Sequence, residues 1–305
     1  MSKSFLTIFT PTYNRGYVLP RLYASLCRQS CKDFEWIIVD DGSADDTRCL
    51  VTKWIAEDEI KIRYYYQQNS GKPMAHNVGV EKTNTELFVC VDSDDFLRDD
   101  AVEVVKSKWE SPGQQTCIGM VFKRGDIFGK SITFWKQNLQ KETFFMAQKR
   151  YGLSGDTMLV WVAEILKQVS FPRLGSEKFI PEGYLYDRLS TLGKVSFFDE
   201  VLYLCEYLPD GYTHAMRRIN AENPLGYQLY IQERLKMDVS VKDRFLDSIR
   251  YVAIKFVIGD GRLLKDAVYP FFTVLSYIPG WMFYLKNYRK LSKRGKVCLQ
   301  QIIKM

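Results

Sequence analysis

The pattern of apolar runs predicts an α/β fold: a mostly parallel central sheet with flanking helices, followed by a helical, basic C-terminal extension. Three observations carry this. Short apolar runs alternate with segments whose apolar positions recur at helical spacing, and such alternation builds right-handed crossovers between parallel strands. Two of the runs end in clustered aspartates, at 40–41 and 92–95, and ligands of open α/β sheets lie beyond the carboxyl ends of their strands. From Ala221 onward the pattern becomes mainly helical.

The elements follow in order. Residues 5–9 (FLTIF) read as a strand, ended by the loop TPTYN. Within 18–29, Leu19, Leu22, Tyr23 and Leu26 are spaced for a helix. Residues 34–39 (FEWIIV) form a buried strand stopped by DDGS. Ser43, with Asp46 three residues later, resembles a capping box for a helix that carries Leu50 with Trp54 and Val51 with Ile55. Residues 60–66 alternate as a strand does. QQNSGKP is a loop, and 74–80 opens a helix. Residues 87–91 (LFVCV) form another buried strand, stopped by DSDD; 101–109 is a helix and 118–122 a strand. The α/β unit covers about 1–125, the mixed segment 126–205 completes a domain of 1–205, and 206–305 is the helical region.

Composition excludes several classes. The 305 residues are 46% hydrophobic and 26% charged, enough for a large core and far from a disordered or repetitive chain. Seven scattered cysteines without a CxxC pair are neither a disulfide framework nor a zinc site. Two histidines, His76 and His214, argue against histidine-based nucleophilic machinery. The net charge of +7 is concentrated: residues 262–305 hold nine Lys or Arg against one acid, Asp266, so the segment carries +8 and the remainder −1. No nucleic-acid motif accompanies that charge, and no nucleic-acid partner is expected. The N-terminal apolar run is too short for a secretory signal, so the expected location is cytoplasmic.

Crowded carboxylates repel unless a cation sits among them. Hard divalent ions favour oxygen donors, and Mg2+ typically combines one or two carboxylates with substrate phosphates. The Asp clusters therefore point to a metal–diphosphate site. Asp92 and Asp94 fall on the same side of an extended segment. Helix capping is the structural alternative for such residues, and Asp95 is as well placed to cap the following helix as to bind. A GxGxxG motif is absent, and Gly71-Lys72 fails the P-loop pattern, with Tyr66 five residues before it and Pro73 after it.

The ordered set TPTYNR, FEWIIVDDGSADDT, QQNSGKPMAHNVGV and LFVCVDSDDFL resembles family 2 glycosyltransferases over about residues 4–125, and more weakly to about 205. The resemblance implies a GT-A fold, Rossmann-like in its sheet, and an inverting transfer from a nucleotide-diphosphate sugar, with UDP the expected nucleotide. It implies that Pro11 and Tyr13 hold the base and that Asp41 accepts a base N–H beside Asp40. Lys72 would approach the nucleotide or diphosphate, and Asn77 matches a helix start at which His76 stands where members commonly carry arginine. DSDD resembles the DxD motif, with Asp94 as metal ligand for Mn2+ or Mg2+ and Asp92 near the ribose or metal.

Inverting displacement needs a carboxylate to take the acceptor proton. The resemblance points to LGSEKFIPEGYLYDRLSTLG, where Glu182 matches an acidic motif at a helix start, although Gly183 replaces the usual second acid. Asp187 is the alternative base and Glu177 a weaker one. Asp156 and Trp161 are weak candidates for the acceptor or donor-sugar pocket, Trp161 also reading as a core residue. His214 is a further candidate for the diphosphate.

Residues 267–285 are aromatic and apolar but interrupted by Pro270, Pro279 and Gly280. They read as a helix pair packed on the body, as an interfacial segment on an anionic membrane surface, or as a membrane span. With the basic flanks, the interfacial reading implies a lipid-linked glycan acceptor, as in bacterial surface polysaccharide assembly, and a peripheral place on the inner face of the plasma membrane. The other readings of the whole chain are a nucleotidyltransferase or related phosphoryl-transfer enzyme, and an inactive sugar-binding scaffold.

Overall fold

The computed structural model describes residues 4–136, 138–206, 212–259 and 261–291, without the side chains of 212–214. The His214 side chain therefore lies outside the described residues, as does the tail beyond 291. The chain divides into two compact units, Met1–Ser170 with Arg188–Tyr207, and Phe171–Asp187 with Leu208–Met305.

In chain order the first elements are β1 (Leu6–Thr12), α1 (Leu19–Cys27), β2 (Phe34–Asp40), α2 (Thr47–Glu57), β3 (Ile62–Tyr66), α3 (Lys72–Lys82) and β4 (Leu87–Cys90). Then come β5 (Phe96–Leu97), α4 (Ala101–Trp109), β6 (Gly119–Gly125), β7 (Lys141–Glu142), α5 (Phe144–Arg150), β8 (Thr157–Val162) and α6 (Ala163–Leu166). The chain continues through α7 (Gly183–Leu189), β9 (Val195–Leu204), α8 (Tyr212–Glu222), α9 (Pro224–Lys236), α10 (Val241–Ile258), α11 (Pro270–Leu275) and α12 (Tyr277–Asn287).

The first unit is built on one sheet, ordered β3-β2-β1-β4-β8-β6-β9-β5, with β7 beside β9. Strands β3, β2, β1 and β4 run parallel, as the helical crossovers between them require. Beyond β4 the sheet is mixed: β8 runs antiparallel to both β4 and β6. No crossover helix is needed there, because β8 returns beside β6 in the opposite direction. All seven residues of β1 and of β2 are buried, which is why these segments read as continuous apolar runs. Beneath one face, Tyr23 and Trp54 stack at 4.3 Å, and Trp36 lies 5.9 Å from Trp54. The Trp36 indole N–H donates to Thr10 Oγ1 at 2.9 Å, so this buried polar tip is satisfied.

The capping box expected at Ser43 does not form. Asp46 is the N-cap of α2 and makes no side-chain cap bond. The Ser43 hydroxyl instead accepts the Asn14 N–H at 2.8 Å, and Asp45 accepts the Thr47 N–H at 3.1 Å. Ser43 thus serves a junction between loops, while Asp45 serves the first residue of α2.

The second unit is helical. Ile231, Leu235, Tyr251, Val252 and Ile254 pack α9 on α10. Asp247, buried at 1% exposure, accepts Arg234 Nε at 3.3 Å and Arg250 Nη1 at 2.5 Å. Gly280 brings α12 so close to α10 that a Cβ there would lie 2.5 Å from Val252. Residues 270–287 therefore form a helix pair packed on α10. Among the described residues no helix is long and apolar enough to cross a membrane, which overturns the membrane-span reading of this segment.

Helix α3 is seated on the sheet by Gly79, where a Cβ would stand 2.3 Å from the Phe9 ring. Gly79→Val is expected to destabilise the chain by about 2 kcal/mol through overpacking. The readout is a lower midpoint of urea unfolding.

Candidate active site

The site begins with two loops fastened to each other. Asn14, in the left-handed region at φ 53°, donates its N–H to Ser43 and accepts the Ala44 N–H on Oδ1 at 2.8 Å. Gly16 N–H donates to Asp45 Oδ2 at 3.0 Å. The turn after β2 is closed by Asp40, which accepts the Ser43 N–H at 2.8 Å and the Tyr64 hydroxyl at 2.6 Å. Burial and this bond push the Tyr64 hydroxyl pKa up. Gly42 is at φ +87°, and a Cβ there would meet Asn69 N at 2.9 Å, so the DDGS turn requires glycine.

Asp41 gathers the next loop. Its Oδ1 accepts Gln67 Nε2 at 2.6 Å and Ser70 N–H at 2.7 Å, while Oδ2 accepts Gly71 N–H at 2.8 Å. A carboxylate oxygen offers two lone pairs, so Oδ2 retains capacity for a further donor. The loop then enters α3 at Lys72, whose Nζ pairs with Asp92 Oδ1 at 2.6 Å. Four strand-end loops, after β1, β2, β3 and β4, are thus tied into one edge of the sheet.

Along Asp92–Asp95 exposure alternates with period two: Asp92 and Asp94 are half-buried on one side, Ser93 and Asp95 buried on the other. Burial raises the Asp94 pKa, and Asp92 adds to the rise, while Arg15 and Lys72 oppose it. Asp95 is held from behind. The Tyr203 hydroxyl donates to its Oδ2 at 2.7 Å and accepts the Asp92 N–H at 2.9 Å. Arg124 lies 3.7 Å from the same carboxylate and 3.8 Å from the Tyr203 ring centroid, with Nε donating to Thr157 O at 3.0 Å. Burial and Asp92 push the Asp95 carboxyl up to about 7 against the opposing Arg124 charge. Asp95 is therefore a buried strut and does not cap α4, whose N-cap is Asp100. Register shifts between β6 and β9 flank Lys123, the kind of irregularity that re-aims side chains beside active sites.

Among the described residues no three His, Cys, Asp or Glu side chains converge to hold a metal ion. Asp92 and Asp94 present hard oxygen donors on one accessible side. Such a pair fits a divalent ion whose remaining positions are filled by water and phosphate oxygens.

The other predicted residues fall as follows. Pro11 is buried on β1, opposite Val39, and Tyr13 is half exposed at the loop that follows. Asn77 is half-buried on α3, and His76 sets its ring edge-on to Phe9 and Phe88 at 5.7 and 5.6 Å. Asp156 is exposed just before β8. Trp161 is 3% exposed within the sheet packing. It is a core residue and offers no open ring face to a sugar, which corrects its candidacy.

In the second unit Glu182 is exposed at the start of α7, accepting the Tyr186 hydroxyl at 3.0 Å. Asp187 is 2% exposed and lies 3.9 Å from Arg234, so this alternative base is a structural charge. Glu177, half-buried, accepts the Leu225 and Gly226 N–H groups at the start of α9, a helix-end role. Arg124, Tyr203, Tyr64 and Gln67 escaped the sequence reading. Their sole signal was polar residues at the ends of otherwise apolar strands.

A parallel sheet edge with two carboxylate-bearing loops and one lysine suits binding of a diphosphate whose own oxygens complete the site. The fold is that of the GT-A glycosyltransferases. Residues 7–163 match Glycosyl transferase family 2, and the chain belongs to that family. It is similar to the GalNAc(5)-diNAcBac-PP-undecaprenol beta-1,3-glucosyltransferase of Campylobacter jejuni, 26% identical over 300 residues, or 94% of this chain and 86% of that protein. It is also similar to glycosyltransferase GlyA of Streptococcus pneumoniae, 32% identical over 213 residues, or 65% of this chain and 30% of that protein. Among solved structures, S. aureus TarS 1–349 superposes with a TM-score of 0.61 at 18% identity, covering 96% of this chain and 82% of that one. The mannosyltransferase PcManGT of Pyrobaculum calidifontis, solved with GDP-Man and Mn2+, gives 0.56 at 15% identity, covering 93% and 88%. These last two likenesses establish the fold.

The strut behind the Asp cluster is testable by a double-mutant cycle. Arg124→Met is expected to cost about 3 kcal/mol, because Asp95 is left buried beside Asp92 without its cation. Arg124→Met with Asp95→Asn is expected to recover much of that loss in urea unfolding, giving a coupling of about 1 kcal/mol or more.

Proposed function

We propose that this glycosyltransferase is a metal-dependent, inverting enzyme that moves a sugar from a UDP-sugar to a hydroxyl of a lipid-linked glycan. The observation that carries the reading is the Lys72–Asp92 pair at 2.6 Å beside Asp94. It sets a cation and two carboxylates at the strand ends where a sugar diphosphate would lie.

In this reading Pro11 and Tyr13 border the base, and the remaining lone pair of Asp41 accepts its N–H. Asp40 keeps the turn closed. Asn77, midway along α3, is assigned to the donor side. Lys72 exchanges Asp92 for a phosphate oxygen when the donor binds, which frees Asp92 toward the ribose or metal. Asp94 and Asp92 would hold Mn2+ or Mg2+, which supplies charge stabilisation for a departing diphosphate. Asp156 is a candidate contact to the sugars.

Glu182 is the proposed base, on its place in the acidic motif and its exposed carboxylate at the start of α7. It would take the acceptor proton as the hydroxyl oxygen attacks the anomeric carbon in line with the leaving diphosphate. No covalent intermediate is required. The first relative's name specifies an undecaprenol-linked substrate, which supports a lipid-linked acceptor here and a peripheral place on the cytoplasmic face of the membrane. TarS has been solved with UDP and with UDP-GlcNAc, which supports UDP; the GDP-Man complex of PcManGT makes GDP the control nucleotide.

Calorimetric titration of UDP is expected to show binding with Mn2+ and much weaker binding with EDTA. Asp94→Asn is expected to remove the metal-dependent part. Glu182→Gln is expected to keep UDP affinity while lowering kcat by roughly a hundredfold or more. Full turnover by Glu182→Gln would point instead to phosphoryl transfer that needs no base at this position.

A further inference from the structure

The helix pair α11–α12 is turned inside out. The residues it buries most deeply are small or polar, Thr273 at 1% exposure, Ser276 at 0%, and Gly280 against Val252, with the half-buried Phe283 and Tyr284 packed beside them. Six of its large apolar residues face outward. Phe271, Val274, Leu275, Ile278, Trp281 and Met282 are between 47% and 70% exposed. Their spacing puts them on one side of each helix, opposite the buried one. A soluble surface places these residue types the other way round, and contiguous apolar patches on it mark an interaction site.

Charge identifies the partner. From 267 to 291 the sequence contains no Asp or Glu, and Lys286, Arg289 and Lys290 follow directly on the apolar face. Residues 262–305 carry nine basic groups and one acid. Two copies meeting through this face would bring two segments of +8 together, which disfavours self-association. An anionic bilayer satisfies both features: the acyl boundary takes the apolar face, Trp281 and Tyr277 suit the headgroup level, and the basic residues meet lipid phosphates.

We propose that the outward face of α11–α12 inserts into the interfacial layer of an anionic phospholipid membrane. The docking is peripheral, with the apolar side chains supplying most of the hold and the basic residues selecting anionic lipid. This deepens the lipid-linked acceptor reading and rests on it for its purpose. The contact itself needs neither donor nor acceptor.

The test uses the full chain and vesicles of either phosphatidylcholine alone or an equimolar mixture with phosphatidylglycerol, without nucleotide. Sedimentation is expected to show binding to the anionic vesicles, with a blue shift of tryptophan emission that Trp281→Phe diminishes. Ile278→Glu with Met282→Glu is expected to lower the partition coefficient at least about tenfold, each charge now opposing burial at the interface. Both positions are exposed, and unchanged circular dichroism and urea midpoint would show that the fold is intact. Equal partitioning of the double variant and the parent would overturn the proposal. So would failure of the parent to bind anionic vesicles, or concentration-dependent dimerisation through this face in place of vesicle binding. Vesicle binding lost in the double variant, in a protein that ignores UDP, would uphold the docking face and fault the donor reading alone.

Discussion

A buried carboxylate has to find donors, and Asp41 at the end of β2 finds three in the loop that follows β3. That requirement organises much of the site. Because Gln67, Ser70 and Gly71 are drawn to Asp41, α3 begins where Lys72 can reach Asp92, 20 residues further along the chain. The neighbouring Asp40 does related work by closing its own turn and engaging Tyr64 on β3. Loops at the ends of three parallel strands thereby become a single charged edge before any ligand arrives. Preorganised charge of this kind is the usual way a protein stabilises a departing diphosphate.

A second layer lies behind the first. Asp95 and Tyr203 are buried and Arg124 is half-buried, and the Tyr203 hydroxyl joins the Asp95 side chain to the Asp92 backbone. A partly satisfied network in such a place would be costly, whereas a complete one is rigid. It leaves Asp92 and Asp94 as the accessible pair and gives the loop between β4 and β5 one arrangement. The division of labour within DSDD follows from strand geometry, since alternate residues face opposite sides.

Much of this was legible in the sequence, and the exceptions have physical causes. Strands β1, β2 and β4 announce themselves because they are buried on both faces, and their polar stops mark the loops. The aspartates stood out because clustered carboxylates need an explanation. Arg124 and Tyr203 did not, because their meaning lies in pairings with Asp95 across long stretches of chain. Ser43 misled because a serine three residues before an acid fits a helix cap equally well, and here the competing partner, Asn14, comes from another loop. Trp161 and Asp187 show the same limit: nothing in their local pattern separates a stacking ring from a core ring, or a catalytic carboxylate from a buried one beside an arginine. The basic tail was conspicuous as composition. The inversion of α11–α12 became visible only once the buried side was known to be Thr273, Ser276 and Gly280.

Two carboxylates cannot by themselves complete the coordination of a divalent ion, so in the proposed reading water and the donor's phosphates supply the rest. Water-proton relaxation with Mn2+ tests this directly, by comparing the protein alone, the protein with UDP, and UDP alone. Strong enhancement should arise only when protein and UDP are both present, as a ternary complex. Tight Mn2+ binding to the protein without nucleotide, or no enhancement with UDP, would contradict a site in which metal and diphosphate complete each other.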